Sequence, residues 1–160
     1  MQLIIPNYHP LFVHFPIALS TLTFLSFLGY LVFQKKGKEL LIVSKWSLWA
    51  CAVMAILTVF AGWHAEGTIR QTAQIHDGIE SHEGWALTST GFVILLAGLG
   101  FWFKRIWGVK HKALTLIALA ISFGLFSITA WHGGELVYRD GAGVMTHPTK
   151  TPYIDYKDND

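Results

Sequence analysis

The chain has 160 residues and a formal net charge of +2, and it is unusually apolar, with 52% hydrophobic and 14% charged residues. Because soluble domains carry about 25% charged residues, a water-soluble bundle of this composition would lack polar surface. The small net charge and the lack of a basic, aromatic-interleaved motif exclude nucleic acid as a partner. The single cysteine, Cys51, excludes a disulfide scaffold and CxxC-type metal or redox motifs.

Four stretches nearly free of charge, at about 10–33, 46–65, 84–103 and 113–134, predict four transmembrane helices. Each stretch is long enough to cross a hydrocarbon core of about 30 Å at 1.5 Å per residue. No cleavable signal peptide is visible, so the first helix is expected to direct insertion. Ser81 is predicted to cap the third helix, and Gly133 and Gly134 to end the fourth. We therefore predict an all-α fold, an integral membrane four-helix bundle over residues 1–138, followed by a polar extracytoplasmic tail over 139–160.

Basic residues cluster in two of the three connections between these helices. They are Lys35, Lys36, Lys38 and Lys45 after the first helix, and Lys104, Arg105, Lys110 and Lys112 between the third and fourth. The positive-inside rule places both clusters in the cytoplasm. The sequence therefore predicts a multi-pass protein of the bacterial inner membrane with both termini on the periplasmic side.

Histidines recur with matching neighbours in the two halves of the chain. "HFPIAL" at 14–19 resembles "HEGWAL" at 82–87, and "GWHAEG" at 62–67 resembles "AWHGGE" at 130–135. Both matches have the same shift, since 82 − 14 and 132 − 64 are both 68. This pattern predicts two tandem helical hairpins, about 9–67 and about 76–138, related by a pseudo-two-fold axis along the membrane normal. It also predicts that His14, His64, His82 and His132 lie at one level near the outer membrane boundary.

Four histidines at one level of a helical bundle predict a metal or haem site. Histidine is the commonest metal ligand, facing helices can carry such ligands, and bis-histidine haem suits electron transfer. The lack of a CxxCH motif favours b-type haem, and the repeat favours two haems over one central haem. One alternative is a non-haem Zn, Cu or Fe ion, with Glu66, Glu83 or Glu135 as further ligands. Another is that these histidines are interfacial residues without a cofactor.

Other residues at the outer boundary are secondary candidates. His9 and His76 are predicted just outside the helices, where they would contact haem propionates, a quinone head group or water. Arg70 and Arg139 are candidates for ion pairs with haem propionates, or are ordinary surface charges. His111, in a basic loop, and His147, in the tail, are predicted to be solvated.

The stretch "HPLFVHFPIAL" at 9–19 resembles the opening motif of an uncharacterised bacterial family of small four-helix membrane proteins. The resemblance covers about residues 9–138. Members of that family occur near, or joined to, redox domains such as c-type cytochromes and Rieske proteins, which implies membrane electron transfer. The resemblance carries the histidines of the family onto His9, His14, His64, His82 and His132, and a glutamate onto Glu83. It also implies that the electron partner here is a separate chain.

The function expected from these observations is that of an electron-transfer component rather than a stand-alone enzyme. The protein would relay electrons near the outer face of the membrane, between quinol or a membrane redox complex and a periplasmic cytochrome. One alternative function is that of a structural accessory subunit of a larger membrane complex, without a cofactor. The other is that of a non-haem metal-binding membrane protein.

Overall fold

A computed structural model describes residues 8–33, 37–68, 72–102 and 111–143. Within them the chain forms five helices: α1 (His9–Phe12), α2 (His14–Phe33), α3 (Lys38–Glu66), α4 (Ala73–Trp102) and α5 (Lys112–Tyr138). Four segments are long and apolar enough to cross a membrane, namely α1 with α2, α3, most of α4, and α5, at 25 to 29 residues each. The four predicted transmembrane helices are therefore confirmed in number, in order and in apolar character.

Two of the predicted helix ends are wrong. Helix α4 begins at Ala73 rather than after Ser81, and the hydroxyl of Thr72 accepts the N–H of Ile75 at 3.3 Å. Helix α5 does not end at Gly133 and Gly134 but continues to Tyr138. A glycine within a helix costs about 1 kcal/mol relative to alanine, which packing against a neighbouring helix can outweigh.

The helices form a closed ring of contacts. Helix α2 packs against α3 and α5, and α4 packs against the same two helices, so α2 and α4 lie on one diagonal of the bundle. The buried apolar core consists of Phe27, Leu48, Cys51, Ala52, Ala55, Val93, Ala97, Leu119 and Phe126. Buried hydroxyls accompany it at Ser20, Thr23, Ser26, Ser44, Ser47, Ser89, Thr90, Thr115 and Ser122. Small residues of this kind let transmembrane helices approach closely, while many large apolar side chains remain on the outside, as a lipid environment requires.

Helices α1 and α2 are separated at Val13 because of Pro16. In a continuous helix the N–H of residue 16 would donate to the carbonyl of Phe12, and proline has no N–H. The hydroxyl of Thr58, on α3, donates to this carbonyl instead at 3.2 Å. The carbonyl of Phe12, at the break in the first helix, therefore forms a hydrogen bond that links the first and second membrane-crossing segments.

The chain turns back on itself after α5. Gly141 has φ +71°, and the N–H of Ala142 donates to the carbonyl of Leu136 at 2.9 Å. The carboxylate of Asp140 accepts from the amide of Gln74, on α4, at 2.8 Å. The first residues of the predicted tail thus link the end of α5 to the start of α4. Residues 144–160 lie outside the described residues.

Candidate functional site

One end of the bundle carries most of the histidines. At this end α1 begins, α3 ends, α4 begins and α5 ends, and six histidines belong to these segments: His9, His14, His64, His76, His82 and His132. At the opposite end the described residues include Lys112, whose ammonium lies 4.9 Å from the ring centre of Tyr30. Most of the described histidines and most of the described Lys and Arg residues therefore occupy opposite ends of the membrane-crossing helices, with His111 and Arg139 as the exceptions.

His9 and His82 are the two histidines that come together in the bundle. Their ring centroids are 6.2 Å apart and their planes meet at 79°. His9 is on α1, directly before α2, and His82 is on α4, so the two rings come from the diagonally opposed membrane-crossing segments. Both side chains are half-buried.

Each of these rings forms a hydrogen bond to the main chain of a different neighbouring helix. The Nδ1 atom of His9 lies 3.1 Å from the carbonyl oxygen of Thr58, on α3. The Nδ1 atom of His82 lies 3.1 Å from the carbonyl oxygen of Thr129, on α5. A carbonyl oxygen can only accept a hydrogen bond, so Nδ1 carries the proton in both rings. In the neutral imidazole this leaves the lone pair of Nε2 for a ligand.

A glycine one turn beyond each threonine lies under the ring. A Cβ atom built on Gly62 would lie 3.2 Å from Cε1 of His9, and one built on Gly133 would lie 3.0 Å from Cε1 of His82. Both distances are shorter than ordinary van der Waals contact. A side chain at either position would therefore displace the imidazole from its present contact with the helix backbone by a few tenths of an ångström.

Three other predicted site residues have exposed side chains. His14 is exposed, and its Nδ1 donates back to the carbonyl of Pro10 at 2.8 Å. His64 is exposed near the end of α3. His76 is exposed and lies 3.6 Å from the carboxylate of Glu80.

The half-buried His132 belongs to a separate polar group on α5. Its ring stacks on Trp85 at a centroid distance of 6.0 Å, and its Nδ1 lies 3.8 Å from Glu135. The guanidinium of Arg139 pairs with the same Glu135 at 2.9 Å. The prediction for Arg70 falls outside the described residues.

The carboxylate of Glu83 accepts a hydrogen bond from a tryptophan. The indole N–H of Trp63 donates to its carboxylate at 2.6 Å, which ties the end of α3 to the start of α4. Within the described part of the chain, no three or more His, Cys, Asp or Glu side chains come together as a metal site. The described residues therefore supply no group of three or more such ligands for a non-haem ion.

The matching contacts of His9 and His82 do not follow the register that the sequence pattern predicts. That pattern makes His14 the counterpart of His82, whereas the histidine whose contacts match those of His82 is His9. The shift is 73 residues for this pair (82 − 9) and 71 for both Thr58 with Thr129 (129 − 58) and Gly62 with Gly133 (133 − 62). The shared signal in the sequence is Thr-x-x-x-Gly, in "TVFAG" at 58–62 and "TAWHG" at 129–133, which analysis of the histidines alone misses.

These features define a multi-pass helical membrane protein with a pair of main-chain-held imidazoles at one end of its bundle. The chain belongs to a family described as "Predicted membrane protein (DUF2231)", which matches residues 6–146. No curated protein and no solved structure matches the chain.

Proposed function

We propose that this protein is a membrane-embedded b-type haem protein that relays electrons near one face of the bacterial inner membrane, with His9 and His82 as axial ligands. The observation that carries the proposal is the pair itself: two imidazoles, 6.2 Å apart, whose Nδ1 atoms are both bound to main-chain carbonyls. Haem iron held by two histidines has no open coordination position and exchanges single electrons, which is the chemistry of electron transfer.

The spacing of the two rings fits a metal between them. Metal–nitrogen bonds of about 2 Å on either side of one ion place the two ring centroids roughly 6 Å apart. The Nδ1 hydrogen bonds are the outer contacts that metal-bound histidines ordinarily have, and they fix both the tautomer and the plane of the ring. The residues present therefore fit an axial pair.

The same geometry favours haem over a non-haem Zn, Cu or Fe ion. A tetrahedral ion needs four ligands, whereas a haem iron already has four porphyrin nitrogens and needs two. The described residues supply two imidazoles with ring centroids 6.2 Å apart and no cluster of three or more potential ligands. An accessory subunit without a cofactor has no evident use for two half-buried histidines held in one tautomer.

The internal repeat is part of the proposal, with a revised register. The five buried residues of α5 are Thr115, Leu119, Ser122, Phe126 and Leu136, and at a shift of 71 they fall on Ser44, Leu48, Cys51, Ala55 and Ala65, which are buried in α3. Helices α3 and α5 thus bury matching positions, which supports the proposed repeat. A pseudo-two-fold axis would pass between His9 and His82, so that one haem, rather than the two expected from the earlier register, serves the pair.

The direction of the chain in the membrane follows from charge. Three of the four described Lys and Arg residues, Lys38, Lys45 and Lys112, lie towards the end opposite the histidine pair, while Arg139 lies at the same end as the pair. The positive-inside rule places the end with the lysines in the cytoplasm. The haem would then lie near the periplasmic face. Electrons would pass there between quinol or a membrane redox complex and a periplasmic cytochrome carried on a separate chain.

The experiment is a reduced-minus-oxidised absorption spectrum of the purified full-length protein, with pyridine haemochrome analysis. We expect one b-type haem per chain, lost or altered in His9→Ala and in His82→Ala. His14→Ala and His64→Ala are matched controls, because both side chains are exposed and neither belongs to the pair, and they should retain the wild-type spectrum. His9→Met keeps a side chain that can ligate haem iron, so it distinguishes a change of ligand from misfolding. Its haem spectrum should be shifted rather than abolished.

Three results would overturn the proposal. A colourless protein, isolated from cells that supply haem, would exclude the cofactor and leave the accessory-subunit function. A colourless protein that binds Zn or Cu through the same two histidines would establish a non-haem site. A haem spectrum unchanged in both His9→Ala and His82→Ala would exclude this ligand pair.

A further inference from the structure

The two histidines are held in place by matching segments of α3 and α5. We propose that Thr58–Gly62 and Thr129–Gly133 are paired positioning elements that hold the two imidazole planes nearly perpendicular and thereby set the electronic state of the iron. This inference rests on the haem function proposed above. It concerns residues that contact the ligands rather than the ligands themselves.

The first part of each element is a threonine that contacts the neighbouring segment through both its carbonyl and its hydroxyl. The carbonyl of Thr58 accepts from His9, and its hydroxyl donates to Phe12, on the same short helix as His9, at 3.2 Å. The carbonyl of Thr129 accepts from His82, and its hydroxyl lies 2.8 Å from that of Ser89, on the same helix as His82. Each threonine therefore holds both the ring and the helix that carries it.

The second part of each element is the glycine. It follows the threonine by four residues, about one helical turn, so it lies on the same face of the helix as the carbonyl. The built Cβ positions lie 3.3 Å and 3.4 Å from Nδ1 of His9 and of His82, in addition to the short contacts to Cε1. A methyl group there would push the ring away from its carbonyl or rotate it.

The two elements belong to different helices, and they orient the two rings independently. The result is an interplanar angle of 79°. Each axial imidazole interacts mainly with the iron d orbital perpendicular to its own plane. With perpendicular rings, the two orbitals concerned are affected equally and stay nearly degenerate, whereas parallel rings would split them.

Electron paramagnetic resonance of the ferric protein distinguishes these cases. The wild-type protein should give the highly anisotropic low-spin signal of perpendicular imidazoles. Gly62→Ala and Gly133→Ala should each convert it towards the rhombic signal of more parallel rings, and should weaken haem retention by about 10–100-fold, as expected for loss of an outer contact to a metal ligand.

Gly124→Ala is the matched control. It makes the same substitution in the same helix as Gly133→Ala, but nothing lies within 4 Å of the added Cβ, so its signal should equal that of the wild type. A rhombic wild-type signal would overturn the inference without any variant. So would alanine variants whose signal and haem retention equal those of Gly124→Ala, while the bis-histidine haem itself remained. The lack of any low-spin ferric signal in the wild type would instead refute the proposed function, and this inference with it.

Discussion

Replacing Thr58 by valine should loosen the tie between the first two membrane-crossing segments. The substitution keeps the shape of the side chain and removes its hydroxyl, which donates to the carbonyls of Phe12 and Met54 at 3.2 and 2.7 Å. The carbonyl of Met54 keeps its donor, the N–H of Thr58 within α3. The carbonyl of Phe12 keeps none from its own helix, because residue 16 is proline.

The expected loss of stability follows from this one orphaned acceptor. An unsatisfied buried group costs about 1–3 kcal/mol, and side-chain hydrogen bonds between membrane helices contribute about 0.6 kcal/mol on average and about 1.7 at most. We therefore expect the free energy of unfolding to fall by about 1–2 kcal/mol, close to the 1.4 kcal/mol that corresponds to a tenfold change in an equilibrium constant. The assay is equilibrium unfolding in mixed micelles with a rising fraction of SDS, followed by tryptophan fluorescence.

A double-mutant cycle with Pro16→Ala tests the stated cause. Alanine at position 16 restores an N–H that can donate to the carbonyl of Phe12, so Thr58→Val should cost much less in that background. Thr21→Val is the control, because its hydroxyl donates within its own helix, to Ile17 at 2.8 Å. An equal cost of Thr58→Val in both backgrounds, or a cost no larger than that of Thr21→Val, would refute the reasoning.

Two further predictions concern membrane orientation and the interior of the bundle. Cysteines introduced at the exposed positions Gln74 and Glu39, with Cys51 replaced by serine, should react with an impermeant reagent from the periplasmic and cytoplasmic sides respectively, since basic loops stay inside. Labelling of both from one side would refute the orientation. Ser122→Ala should leave the free energy of unfolding unchanged or raise it, because the buried hydroxyl has no partner among the described residues. Ser44→Ala should lower it by about 1 kcal/mol, because its hydroxyl donates to the carbonyl of Thr23 at 2.9 Å; equal losses in both variants would contradict this difference.

The sequence by itself determines the membrane-crossing architecture. Length and apolar content are local properties, so the four spans could be predicted within a few residues in most places, and the histidines could be assigned to one end. The main local error was the start of α4, where "AQIHDGIESHEG" at 73–84 is too polar to resemble a membrane helix and yet is helical. Hydropathy identifies the apolar segment that can lie within the membrane, but it does not show how far the helix extends beyond the membrane.

The tertiary structure alone decides which histidines meet. Each residue turns a side chain by about 100° around a helix, so His9 and His14, five residues apart, point in different directions even before the break at Val13 is considered. Which of them lies near His82 depends on where Pro16 interrupts the helix, on the Thr58 carbonyl that receives His9, and on how α1 and α4 lie across the bundle. Sequence similarity made His14 the counterpart of His82 in the repeat because their neighbours resemble each other. Which histidines meet is decided instead by the helix faces that packing brings together.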